Sequence, residues 1–152
     1  MRDALSCAEA EAAAILDQLA AASTYGEVDR LMRAYVKTRF FLEDEDLALE
    51  TFNALGQMSI ARTTGIDPIE VLTADLSVRC DGSSSSLTKK ILLIIALNRA
   101  LHLDISPEEA VSITTLSALI ERAARVLLAA NAGTGTAAPA VVTGAGTAEE
   151  SE

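Results

Sequence analysis

The sequence predicts an all-α protein, and two observations predict it. Apolar residues recur three and four positions apart along most of the chain, the spacing of one helix face. Cap residues, Gly or Ser-Pro-Glu-Glu, stand where that spacing stops. Half of the 152 residues are hydrophobic, enough for a core, and the length corresponds to one domain or one small domain with an extension.

Residues 3–22 read as the first helix, with Leu5, Ala8, Ala12, Ile15, Leu16 and Leu19 at helical spacing and acids between them. Ser23-Thr24-Tyr25-Gly26 breaks it. A second helix is expected over residues 27–42, its apolar side formed by Val28, Leu31, Met32, Tyr35 and Val36. Arg30, Arg33, Lys37 and Arg39 line its other side, as in a solvated face or one paired with an acidic neighbour. Glu43-Asp44-Glu45-Asp46 suits the start of a third helix, because acids are favoured at the positive end of the backbone dipole. That helix would carry Ala48, Phe52, Leu55 and Met58 and stop near Thr64-Gly65, glycine being a favoured C-terminal cap.

Residues 66–85 lack sustained periodicity. Asp67-Pro68 suits a short helical turn, with Pro in a first-turn position. Asp81-Gly82 leads into four consecutive serines, Ser83, Ser84, Ser85 and Ser86. Loops of this length are uncommon in a small domain and are often functional. The next helix has one broad apolar face, Leu87, Ile91, Ile94, Leu97 and Leu101, with Leu92, Leu93 and Ala96 assigned to the opposite side. A helix apolar on two sides is buried on both or has a partner. Ser106-Pro107-Glu108-Glu109 opens a short helix, with Ser as cap, Pro first and Glu in the capping-box position. The last helix, with a cap at Thr114, carries Leu116, Leu119, Ile120, Ala123 and Leu127. From residue 131 the composition turns to Gly, Thr, Ala, Pro and Val, as in a disordered tail. The chain is therefore read as an N-terminal helical hairpin (residues 1–42), a helical bundle (residues 43–130) and a tail (residues 131–152).

Ala96-Leu97, Leu101, Ile105, Pro107-Glu108-Glu109-Ala110 and Ile113-Thr114-Thr115-Leu116 follow one another without a gap. In this order and spacing, residues 66–128 resemble the acyl carrier protein family. The resemblance implies a carrier-like four-helix bundle and a 4'-phosphopantetheine arm on a serine at the start of the long helix. Ser86, followed by Leu87, is the best counterpart, with Ser85, Ser84 and Ser83 as alternatives. Ser85 stands where the family has Asp, and the gapless alignment places Leu87 at the serine position. Family members carry acids along the long helix, whereas residues 86–101 contain none and hold Lys89, Lys90 and Arg99.

The implied activity is to hold an acyl or aminoacyl group as a thioester and present it to separate enzymes. The implied partners are a phosphopantetheinyl transferase and acyl-transferring or acyl-activating enzymes, met through Leu87, Lys89, Leu92, Ala96 and Arg99. The chemistry would lie in the attached thiol and in the partners, so the chain itself is not expected to be an enzyme. An unmodified carrier-like binding or regulatory subunit is the alternative, and an unrelated helical adaptor is a third. The N-terminal hairpin is expected to pack on the bundle and shelter Leu92 and Ala96.

Twelve basic against 22 acidic residues give a net charge of −10, which excludes ordinary nucleic-acid binding. Aromatics are 3% and Trp is absent, so bases find no stacking platform. The longest apolar run, residues 91–97, is too short to span a bilayer. The N-terminus lacks the uninterrupted apolar stretch of a signal peptide, and Cys7 and Cys80 read as free thiols, so the expected location is the cytoplasm. His102 has no Ser, Cys or carboxylate at a triad spacing and is expected at the surface, and the acids show no metal-ligand pattern.

Overall fold

The computed structural model describes residues 2–67, 69–70 and 85–135. Helices are α1 (Arg2–Ala20), α2 (Tyr25–Phe40), α3 (Phe52–Thr64), α4 (Ser85–Leu101), α5 (Pro107–Ser112) and α6 (Leu116–Gly135), with a 3-10 helix, Asp44–Leu49, before α3. The fold is all-α; among the described residues the only extended pairing is an isolated antiparallel bridge between Thr51 and Thr115.

Helices α2, α3, α5 and α6 start where a side chain replaces a missing backbone partner. Thr24 accepts from the Glu27 N–H (3.2 Å), while the Glu27 carboxylate accepts from the Thr24 N–H (3.2 Å), which completes a capping box. α2 therefore begins two residues before its expected start. Ser106 and Glu109 form the expected box at α5, with N–H to oxygen distances of 3.1 Å in both directions. α6 is capped by Thr115, whose hydroxyl accepts from the Ala118 N–H (3.1 Å), rather than by Thr114. Thr114 instead offers its carbonyl to the Phe52 N–H (2.9 Å), which ties the start of α3 to the start of α6. Gly65 ends α3 as expected, with φ at +75°. Asp67 accepts from the Ile69 N–H (2.8 Å), in keeping with a helical turn opening there.

The single third helix expected from the acidic run is instead two elements. Glu50 takes φ +65°, which no α-helix tolerates, and Thr51 caps a new helix by accepting from the Ala54 N–H (3.3 Å). Glu50 is held in this strained place from both sides. Its carboxylate accepts from Arg33 Nη1 of α2 (2.9 Å) and from the Ser117 hydroxyl of α6 (2.6 Å). Asp46, buried in the 3-10 helix, accepts from Arg62 Nε (2.7 Å) and Nη2 (3.0 Å) of α3. The basic side of α2 behaves as a paired, solvated face: Arg33 meets Asp29 and Glu50, and Lys37 meets Asp44.

One core unites hairpin and bundle. Leu19 of α1, Met32, Tyr35 and Val36 of α2, Leu55 of α3, Leu97 of α4 and Leu119 and Ile120 of α6 all belong to it. Full burial of each such side chain contributes about 1.5–3 kcal/mol, so the hairpin is held firmly. The tail expected from residue 131 does not begin there. α6 continues through Gly135, and Asn131 donates its amide to the carbonyls of Ala20 and Ala22 at the end of α1. Residues 136–152 lie outside the described residues.

Candidate functional site

The candidate side chains that the structure describes sit on α4, and its two sides differ. Ser86, in the first turn, is only 1% exposed. A β-carbon placed on Gly56 of α3 would lie 2.8 Å from the Cα and Cβ of Ser86 and 3.0 Å from its Oγ, so α4 enters the bundle against a residue that has no side chain. Among the described residues the Ser86 hydroxyl has no hydrogen-bond partner. An arm on Ser86, as the resemblance implies, requires an exposed hydroxyl; close helix approach at Gly56 instead turns Ser86 inward. Ser83, Ser84 and the side chain of Ser85 lie outside the described residues.

One turn further, Lys90 is 5% exposed. Its Nζ donates to the carbonyl oxygens of Ile113 (2.8 Å) and Val111 (3.4 Å), at the C-terminal end of α5. A cation is favoured there by the helix dipole. Burial still holds the lysine below its ordinary pKa. Among the described residues, the ion pairs engage other groups and no carboxylate faces Lys90. Ser86 and Lys90 line one cavity of about 390 Å³ together with Thr51, Phe52, Asn53, Leu87 and Thr114.

The outer side is apolar and cationic. Leu92 is 57% and Ile95 45% exposed, and Arg99 is exposed beside them. Lys89 Nζ lies 5.7 Å from the centroid of the Phe40 ring, and burial lowers its pKa. Arg39, Phe40, Lys89, Leu92 and Leu93 line a small recess of about 110 Å³ where α2 ends against α4.

The expected partner-facing set is therefore divided. Lys89, Leu92, Ala96 and Arg99 share the outer side, with Ala96 half-buried, whereas Leu87 lines the inner cavity. The hairpin packs on the bundle as expected but does not shelter Leu92. It covers Leu93, which is buried in the core and not on the opposite side of the helix as the spacing was read. Ile95 is not among the expected residues, and Lys90, named with the cations of the helix, is buried rather than outward. Ile95 stands three residues after Leu92 and four before Arg99, a spacing that places it in the same stripe.

Cys7 is exposed and free, while Cys80 lies outside the described residues. His102 is exposed. Among the described residues no cluster of His, Cys, Asp and Glu could hold a metal ion, and no helix is long and apolar enough to cross a membrane. No protein-family model, curated protein or solved structure matches the chain.

Proposed function

We propose that the chain is a carrier-like helical binding module that bears no arm on Ser86 and docks a separate protein on the outer side of α4. The observation that carries this reading is the division of that helix, with Ser86 buried on one side and Leu92 and Ile95 exposed on the other. A phosphopantetheine needs a hydroxyl that a transferase can reach, and the placement of Ser86 against Gly56 denies that access. An exposed apolar pair edged by cations is what a docking site needs instead. The partner that fits presents an apolar helix edged by Asp and Glu. Lys89 and Arg99 flank the stripe and Arg39 joins its rim, although the chain as a whole carries −10. Such complementarity sets partner choice and encounter rate. The role is binding, with no catalytic step on this chain, and a cytoplasmic setting is in keeping with the exposed thiol of Cys7.

A second reading keeps the acyl carrier activity, with 4'-phosphopantetheine on Ser83, Ser84 or Ser85 and acyl-handling enzymes as partners. It is favoured by the order of elements that carries the resemblance: a long helix, a short helix with the Ser106 capping box, and a final helix. Incubation with coenzyme A and a broad-specificity phosphopantetheinyl transferase, followed by intact mass, separates the two. Unchanged mass supports the armless module. One added arm that persists in Ser86→Ala supports the carrier. An arm lost in Ser86→Ala would contradict the inward placement of that serine.

A further inference from the structure

The inner side of α4 is independent of the docking stripe and has a chemistry of its own. The cavity of about 390 Å³ falls within the usual range for small-molecule sites, roughly 300–1,000 Å³. Two of its lining groups are polar, buried and incompletely used. The Lys90 ammonium has three donors, and two of them are directed at the carbonyls of Ile113 and Val111. The Ser86 hydroxyl, buried in the same wall one turn away, has no partner among the described residues. A buried cation without a carboxylate and a buried hydroxyl without an acceptor lack the same thing, an anionic oxygen acceptor.

We infer that this cavity binds a small organic monocarboxylate. Lys90 supplies its remaining N–H and its charge to one carboxylate oxygen, and the Ser86 hydroxyl, closed off from the cavity as the side chain stands, turns to donate its O–H to the other. Among the described residues a single cation lines the cavity, which balances one negative charge and suits a monoanion better than a phosphate dianion. Phe52 and Leu87 offer apolar surface for a short hydrocarbon body, while Asn53 and the threonines Thr51 and Thr114 give the rest of the lining its polar character.

The test is isothermal titration calorimetry of the full chain with sodium hexanoate, 1-hexanol and inorganic phosphate. Hexanoate is expected to bind saturably at one site, and 1-hexanol, which has the same chain and no charge, at least about tenfold more weakly. Ser86→Ala keeps the fold and is expected to weaken hexanoate by about tenfold, the loss of one hydrogen bond to a charged group. Lys90→Met is expected to abolish binding, with circular dichroism reporting whether the helices persist. Any one of three results would overturn the inference: no saturation by hexanoate, equal binding of 1-hexanol or phosphate, or an unaltered affinity in folded Ser86→Ala.

Discussion

Gly56 and Ser86 bring α3 and α4 together at a distance that leaves no space for a methyl group, since a β-carbon on Gly56 would stand 2.8 Å from the serine backbone. This contact decides the direction in which α4 faces. It turns Ser86 inward, places Lys90 beneath the end of α5, and leaves Leu92 and Ile95 in solvent.

Gly56→Ala is expected to destabilise the protein by about 1–3 kcal/mol, the usual cost of forcing extra volume into a packed site. The obstructing atoms include Ser86 Cα, so a rotamer change in Ser86 cannot relieve the clash. Urea unfolding followed by circular dichroism measures it. An unchanged midpoint would contradict the close approach.

Ser86→Ala is expected to leave stability unchanged or to raise it by up to about 1 kcal/mol, because an unpartnered buried hydroxyl contributes desolvation cost and no bond. A loss of stability beyond experimental error would mean that the hydroxyl has a partner in solution. The same urea titration reads this variant.

Acid sensitivity should follow three carboxyls. Hydrogen bonds from Arg62 and from the Glu43 N–H hold Asp46 below its ordinary pKa, Ser117 and Arg33 do so for Glu50, and Arg122 and the Ser106 N–H for Glu109. A carboxyl with a lower pKa in the folded state stabilises the fold above its unfolded pKa, and that contribution is lost as pH falls through the folded value. The thermal midpoint is therefore expected to fall from about pH 4 downward. Asp46→Asn should flatten that slope and cost about 1–3 kcal/mol at neutral pH, less than a fully buried pair because Arg62 reaches solvent. A midpoint independent of pH between 2 and 5 would contradict these bonds.

Much of this fold is legible in the chain because caps and periodicity agree. The Ser106 box, Gly65 and the apolar sides of α2 and α6 need only local chemistry to be read. The break at Glu50 is not local. Phe52, Leu55 and Met58 continue an unbroken helical spacing, and it is Arg33, Ser117 and the Leu116 N–H, all distant in sequence, that hold Glu50 at positive φ. The burial of Ser86 is hidden for a related reason: the sequence places it at the start of the long helix, but which way it faces depends on a glycine thirty residues earlier. The burial of Lys90, unlike its place among the cations of the long helix, needs its spacing to be read. This lysine stands four, seven and eleven residues before Ile94, Leu97 and Leu101, so helical spacing alone places it on the buried face.

The outer stripe is tested by binding. Leu92 replaced by a photo-crosslinking amino acid captures the partner in the native host, and the purified partner is then titrated against the wild type and the Leu92→Asp, Ile95→Asp double variant. Both positions face solvent, so the variant should keep its unfolding free energy within about 0.5 kcal/mol. The partner should bind the wild type and lose at least about tenfold in affinity for the variant, with Lys89→Glu and Arg99→Glu slowing association. Undiminished binding to the folded double variant would contradict α4 as the docking helix.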